Sequence, residues 1–169
     1  MKTLLTGAAG FIAFHVAERL LDAGHEVVGV DNLSPYYDVS LKEARLARLL
    51  PREGFRFERL DLADREGTAA LFARERFERV VHLAAQPGVR HSLDAPFDYV
   101  ESNLTGHLTV LEGCRRTGVA HLVYASSSSV YGLNATPFRA SDRTDHPVSL
   151  YGATKKANEV MTHAYAHLF

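Results

Sequence analysis

Thr3-Leu4-Leu5-Thr6-Gly7-Ala8-Ala9-Gly10-Phe11-Ile12-Ala13 decides the fold of this 169-residue chain. A short apolar run breaks at two glycines three residues apart, and an amphipathic segment from Phe11 to Ala23, closed by Gly24, follows at once. Strand, glycine turn and helix open a parallel α/β sheet, and the rest of the chain repeats the alternation. Glu26 to Val30, Phe55 to Glu58, Arg79 to Leu83 and His121 to Ala125 are the further predicted strands, with Thr3 to Thr6 the first. Between and after them lie predicted helices from Leu41 to Leu50, stopped by Pro51, from Asp64 to Arg74 with Asp64 as N-cap, from Pro96 to Arg116 and from Ser149 to Phe169. Right-handed crossovers then predict a doubly wound parallel sheet in the order 3-2-1-4-5, with its ligand crevice at the carboxyl ends of the strands.

Composition narrows the function. A hydrophobic content of 46% in one uninterrupted pattern suits a single domain spanning residues 1–169. The net charge of −1, with both signs interleaved, offers no basic face for nucleic acid. No apolar run reaches membrane-spanning length, and no signal-peptide core follows Lys2, so a reducing cytoplasm is expected. The one cysteine, Cys114, lies in a helical segment and reads as a structural thiol.

The glycine turn can bring backbone N–H groups and a positive helix end up to a pyrophosphate. Gly7 permits the tight turn, Gly10 the approach of the phosphates, and Ala13 the packing of helix on sheet, with Phe11 and Ile12 opening the helix beside them. Asp31 follows the second strand about twenty residues on, where a carboxylate accepts from adenosine ribose hydroxyls and repels a 2′-phosphate, which favours NAD over NADP. Asn32 stands next to it. Asp61-Leu62, after strand three, either meets the adenine edge or caps the turn before the next helix. Leu83-Ala84-Ala85, after strand four, supplies small side chains for the nicotinamide half, or simply core.

At the far end of the crevice, Tyr151 and Lys155 sit one helical turn apart in Tyr151-Gly152-Ala153-Thr154-Lys155, downstream of the serine run Ser126 to Ser129. That spacing places phenol and ammonium on one helix face, where the cation favours a phenolate. A phenolate can remove a proton from a sugar or alcohol hydroxyl as hydride leaves the same carbon, while a strand-end serine holds the oxygen in line.

These features resemble the extended short-chain dehydrogenase/reductase superfamily, whose dinucleotide-binding half is a Rossmann fold, and within it the sugar-nucleotide epimerases. The segments Ala84-Ala85-Gln86-Pro87-Gly88-Val89-Arg90, Tyr124 to Gly132 and Pro147 to Glu159 look most like the UDP-glucuronate 4-epimerase branch. The resemblance implies NAD as cofactor and a UDP-sugar as substrate, with C4 oxidised to a ketone, the ketone turned over, and hydride returned to its other face. It implies Tyr151 as the base and Lys155 as its activator and ribose ligand. Ser127, with Ser128 next in line, would be the substrate-binding hydroxyl of the triad, Asn103 would lie near the cofactor, and Arg90 would border the sugar. Related decarboxylases and dehydratases commonly carry Glu where this chain has Ser129, which favours the epimerase. The third family glycine is Ala13 here. Family members continue into a carboxyl-terminal lobe that is expected to be missing from this chain, so the alternatives are a silent NAD-binding or dimerisation fragment, a decarboxylase or a dehydratase. A homodimer through the long helix and the Tyr151 helix is implied.

Other features carry less. His163 and His167 have ligand-like spacing without a third partner, and no metal site is expected. Asp94, Asp98 and Glu101 stand where negative charge favours a helix start. Val100, Leu104, Leu108 and Leu111 recur at helical spacing and read as core. The stretch from Gly132 to Pro147 is either a substrate-facing flap or a solvated loop.

Overall fold

A computed structural model describes residues 1–169. Five parallel strands, β1 (Lys2–Thr6), β2 (Glu26–Asp31), β3 (Phe55–Arg59), β4 (Arg79–His82) and β5 (His121–Tyr124), form one sheet in the order β3-β2-β1-β4-β5. This is the order expected from right-handed crossovers. The central strand pairs Thr6 with Val30 on one side and with His82 on the other, so the carboxyl ends of β1, β2 and β4 finish level with one another.

Alternation along the strands divides the core between the two faces. Leu5, Val27 and Phe55 pack with Ala13, Phe14, Ala17 and Leu21 of α1 (Phe11–Asp22) and with Leu46 and Leu49 of α2 (Val39–Leu49). On the other face, Leu4, Val28, Val30 and Val80 pack with Leu71 and Phe72 of α3 (Arg65–Glu75) and, further along the chain, Val110. The predicted Asp64 cap is present, its carboxylate accepting from Gly67 N at 3.1 Å. Asp38 caps α2 in the same way through Ser40 N, which starts that helix two residues before the predicted Leu41.

The predicted helix Pro96 to Arg116 is three pieces. α4 (His91–Asp94) precedes it, α5 (Pro96–Tyr99) opens it, Val100–Thr105 winds as a π-helix, and α6 (Gly106–Thr117) completes it before Gly118 at φ 70°. The cause of the wide turn is side-chain competition for its backbone: Asn158 Nδ2 donates to the Asn103 carbonyl at 2.6 Å. Asn158 belongs to α7 (Leu150–Leu168), which Ser149 caps by accepting from Gly152 N at 3.0 Å. A 3₁₀ turn, Ser128–Tyr131, follows β5. The Gly132 to Pro147 stretch is knit by its own contacts: Tyr131 stacks on Phe138, Asn134 Nδ2 donates to Arg143 O, and Lys156 donates to Thr144. No helix is long and apolar enough to cross a membrane.

Candidate active site

The turn after β1 is glycine because of its protein neighbours. Gly7 has φ 70°, and a Cβ there would stand 2.9 Å from Ala84 N; at Gly10 it would stand 2.9 Å from Gly7 O. Thr6 ties this turn to the end of β4. Its Oγ1 accepts from Leu83 N at 3.1 Å and Ala84 N at 3.0 Å, and its proton goes to His82 Nδ1 at 2.7 Å. That donation assigns the His82 proton to Nε2. Burial, then His107 and Lys155, hold His82 well below its usual pKa, so the ring is neutral. Beyond the turn, Phe11 and Ile12 are two-thirds exposed although they open a helix, and both face the crevice.

The crevice is a cleft of about 570 Å³ at the carboxyl ends of the strands. Asp31 is buried on its wall, where Oδ2 accepts from Ala9 N at 3.2 Å and Oδ1 from Leu33 N at 2.8 Å and Lys42 Nζ at 3.3 Å. The bond from Leu33 N helps hold that residue at φ 58°, a conformation few side-chain-bearing residues adopt. Asp61 lines the cleft, and it caps its turn through Ala63 N while accepting from Asn32 Nδ2 at 3.0 Å.

Tyr151 and Lys155 face the same cleft from α7. Lys155 is 5% exposed and has neither an ion pair nor a hydrogen bond within the chain. Burial pulls its pKa down to about 8, against the opposing pull of Glu159 one turn further along. The side chain is buried but the ammonium opens on the cleft with no carboxylate of the chain against it, so it favours an anion or hydroxyl brought there. The Tyr151 ring meets the edge of Tyr99 at 6.2 Å, and the Tyr99 hydroxyl is anchored on Pro87 O and Gly88 O. Ser126, at the end of β5, lines the cleft and donates to Glu159 Oε1 at 2.5 Å. Burial pushes the Cys114 thiol up to about 12, which makes it inert.

A profile of the NAD dependent epimerase/dehydratase family matches residues 3–169. The chain belongs to that family. It is 49% identical to a probable UDP-glucuronate 4-epimerase of Rhizobium meliloti over 100% of this chain and 50% of that protein. It is also 49% identical to protein CapI of Staphylococcus aureus, covering 51% of it. Among solved structures, the UDP-glucuronic acid 4-epimerase of Bacillus cereus, in complex with UDP-glucuronic acid and NAD, superposes with a TM-score of 0.91 at 34% identity over 100% of this chain and 53% of that one. The UDP-glucose 4-epimerase of Thermus thermophilus, in complex with NAD, gives 0.85 at 37% identity, over 99% of this chain and 51% of that one. The chain thus spans about half the length of these relatives.

The fold brings most of the expected site residues to one surface. Gly7, Gly10, Phe11 and Ile12 line the cleft from the first turn, and Asp31, Asn32, Asp61 and Leu62 from the ends of β2 and β3. Leu83, Ala84 and Ala85 line it after β4, with Tyr151 and Lys155 across from them. Asn103 lies behind this wall instead: its amide accepts from Gln86 N and donates to Gln86 O and Thr154 Oγ1, clamping the β4 loop to α7. Ser127 caps the 3₁₀ turn by accepting from Ser129 N at 3.1 Å, which leaves its own proton to donate. Ser127, the exposed Ser128 and the exposed Arg90 stand outside the cleft lining. Sequence reasoning missed Tyr36, Tyr37, Lys42, Arg45 and Ser126, all of which line it. The paired aromatics of Ser34-Pro35-Tyr36-Tyr37 in a turn were a readable signal; Lys42 and Arg45 reach the cleft only because α2 packs beside α1. A second groove, about 620 Å³ between α3 and α6, carries none of the glycine-turn or Tyr–Lys residues.

Proposed function

We propose that this chain binds NAD along the cleft and that its chemistry is the C4 epimerisation of a UDP-hexuronate, UDP-glucuronate to UDP-galacturonate. The observation that carries the reading is Lys155, whose side chain is buried and whose ammonium opens on the cleft without an ion pair, one turn from Tyr151 on the wall that also holds the glycine turn and Asp31. NAD, when bound, supplies a hydride acceptor that returns the hydride within the same turnover. Gly7 and Gly10 allow the backbone to meet the pyrophosphate at the start of α1, and Asp31 takes the adenosine ribose. Asn32, Asp61 and Leu62 border the adenine, while Leu83, Ala84 and Ala85 border the nicotinamide half. Lys155 holds the nicotinamide ribose one helical turn from Tyr151, the base that removes the proton from the sugar 4-hydroxyl. Ser127 donates to that oxygen, with Ser128 and Arg90 toward the uronate. Asn103 acts by holding the β4 loop on α7.

A second reading is NAD binding without turnover. Incubating the chain with NAD and UDP-glucuronate and resolving the products by NMR separates the two. UDP-galacturonate formation that vanishes in Tyr151→Phe, with NAD still bound, supports the epimerase. Undiminished turnover in that variant would remove Tyr151 as the base, and carbon dioxide release would make the chain a decarboxylase. We also propose a homodimer through the α5 to α6 run and α7, where Phe97 and Val160 are exposed, as are Val100 and Leu108, which helical spacing alone reads as core. A monomeric mass by light scattering at micromolar concentration would rule it out.

A further inference from the structure

The segment from Asn32 to Tyr37 leaves the end of β2 and crosses the end of β1 to meet the loop that follows β4. Tyr36 makes the meeting. Its ring lies 4.8 Å from that of His91, and its hydroxyl stands so close over Gly88 that a Cβ there would collide with it. From His91 the aromatic contacts continue to Tyr99 at 6.1 Å and from Tyr99 to Tyr151 at 6.2 Å. The turn after β2 is thereby pinned to the side of the cleft that carries Tyr151.

Tyr37 is the residue this pinning delivers. It packs on Tyr36 with ring centres 4.6 Å apart, lines the cleft together with Tyr151, and is 56% exposed. The Tyr99 hydroxyl is committed to Pro87 O and Gly88 O, whereas no group of the chain takes the hydroxyl of Tyr37. What burial it has, then the Tyr36 and Tyr151 phenols, raise the Tyr37 pKa above the ordinary tyrosine value, so it stays a protonated donor near Tyr151. A pyranose presents C–H faces and hydroxyl edges, and a phenol matches both with an apolar face and one donor. A tyrosine already held in a packed turn also loses little freedom on making such a contact.

We propose that Tyr37 is a substrate-binding residue at the sugar end of the cleft, its ring against the pyranose and its hydroxyl donating to a sugar oxygen next to the one Tyr151 takes. Tyr36, Gly88 and His91 position it. The assignment rests on the epimerase reading of the cleft, in which the Tyr151 phenol meets the sugar 4-hydroxyl.

Isothermal titration of the full chain, saturated with NAD, tests it with UDP-glucuronate and with UDP, for wild type, Tyr37→Phe and Tyr37→Ala. Tyr37→Phe weakens UDP-glucuronate by about threefold to tenfold, the loss of one hydrogen bond, and Tyr37→Ala weakens it further. NAD and UDP, which do not carry the sugar, stay within about twofold of wild type in both variants. Unchanged UDP-glucuronate affinity in both variants would overturn the assignment and leave the epimerase reading in place, as would an equal loss for UDP or for NAD. A wild-type chain that binds NAD and not UDP-glucuronate would remove the sugar reading, and the assignment with it.

Discussion

Replacing Thr6 by Val tests how the central strand builds the cleft. Valine is nearly isosteric and suits a strand, so neither packing nor propensity should suffer. What disappears is one hydroxyl that accepts from Leu83 N and Ala84 N and donates to His82 Nδ1. A buried polar group without a partner costs about 1–3 kcal/mol. Leu83 and Ala84 border the open cleft, where water reaches them, so each belongs at the low end; His82 is 4% exposed and has less relief. The sum is about 3 kcal/mol, a large part of an ordinary domain's stability. Urea unfolding followed by circular dichroism reads it directly. Thr6→Ser keeps the hydroxyl and should lose about 1 kcal/mol or less for one methyl group. NAD affinity should fall further in the valine variant, because the backbone after β4 is no longer held against the glycine turn. A valine variant within about 1 kcal/mol of wild type, or a serine variant that falls as far, would refute the hub.

The Lys155 amine should titrate near 8 in the cofactor-free chain, measurable by NMR of its side chain. Between that pH and about 10.4 the unfolded chain keeps a proton that the folded one has released, so this group makes stability rise with pH. Lys155→Met should accordingly raise the stability of the cofactor-free chain at pH 7 by roughly 2 kcal/mol while weakening NAD, and a less stable variant would contradict the buried-cation account. Glu75 is held far below the usual carboxylate range by Arg56, Lys2 and Arg74, at the opposite end of the sheet from the cleft. Its contribution is complete above about pH 4.3 and is lost as pH falls, so Glu75→Gln should be destabilised at neutral pH and show a flatter acid limb in pH-dependent unfolding. Gly88→Ala puts a Cβ 2.2 Å from the Tyr36 hydroxyl at φ 96°; cleavage in the 32–38 loop under limited proteolysis should rise, and an unchanged rate would show that the contact does not hold the loop.

The local alternation of apolar runs, the glycine spacing and the capping residues were enough to specify five parallel strands and their order, because each depends on neighbours within a turn or a strand length. The same local chemistry placed Asp31, Asp61, Tyr151 and Lys155 at strand ends or on one helix face, and they line one cleft. The interruption of the long helix was not legible, since its cause is Asn158, 55 residues away from the carbonyl it takes. Nor was the diversion of Asn103 to Gln86 and Thr154, or the arrival of Lys42 beside Asp31. Spacing in the chain reveals which groups share a face. Which donor satisfies which acceptor, and whether a charge meets a partner or stays alone as Lys155 does, depends on how separate elements pack, and only the tertiary structure decides it.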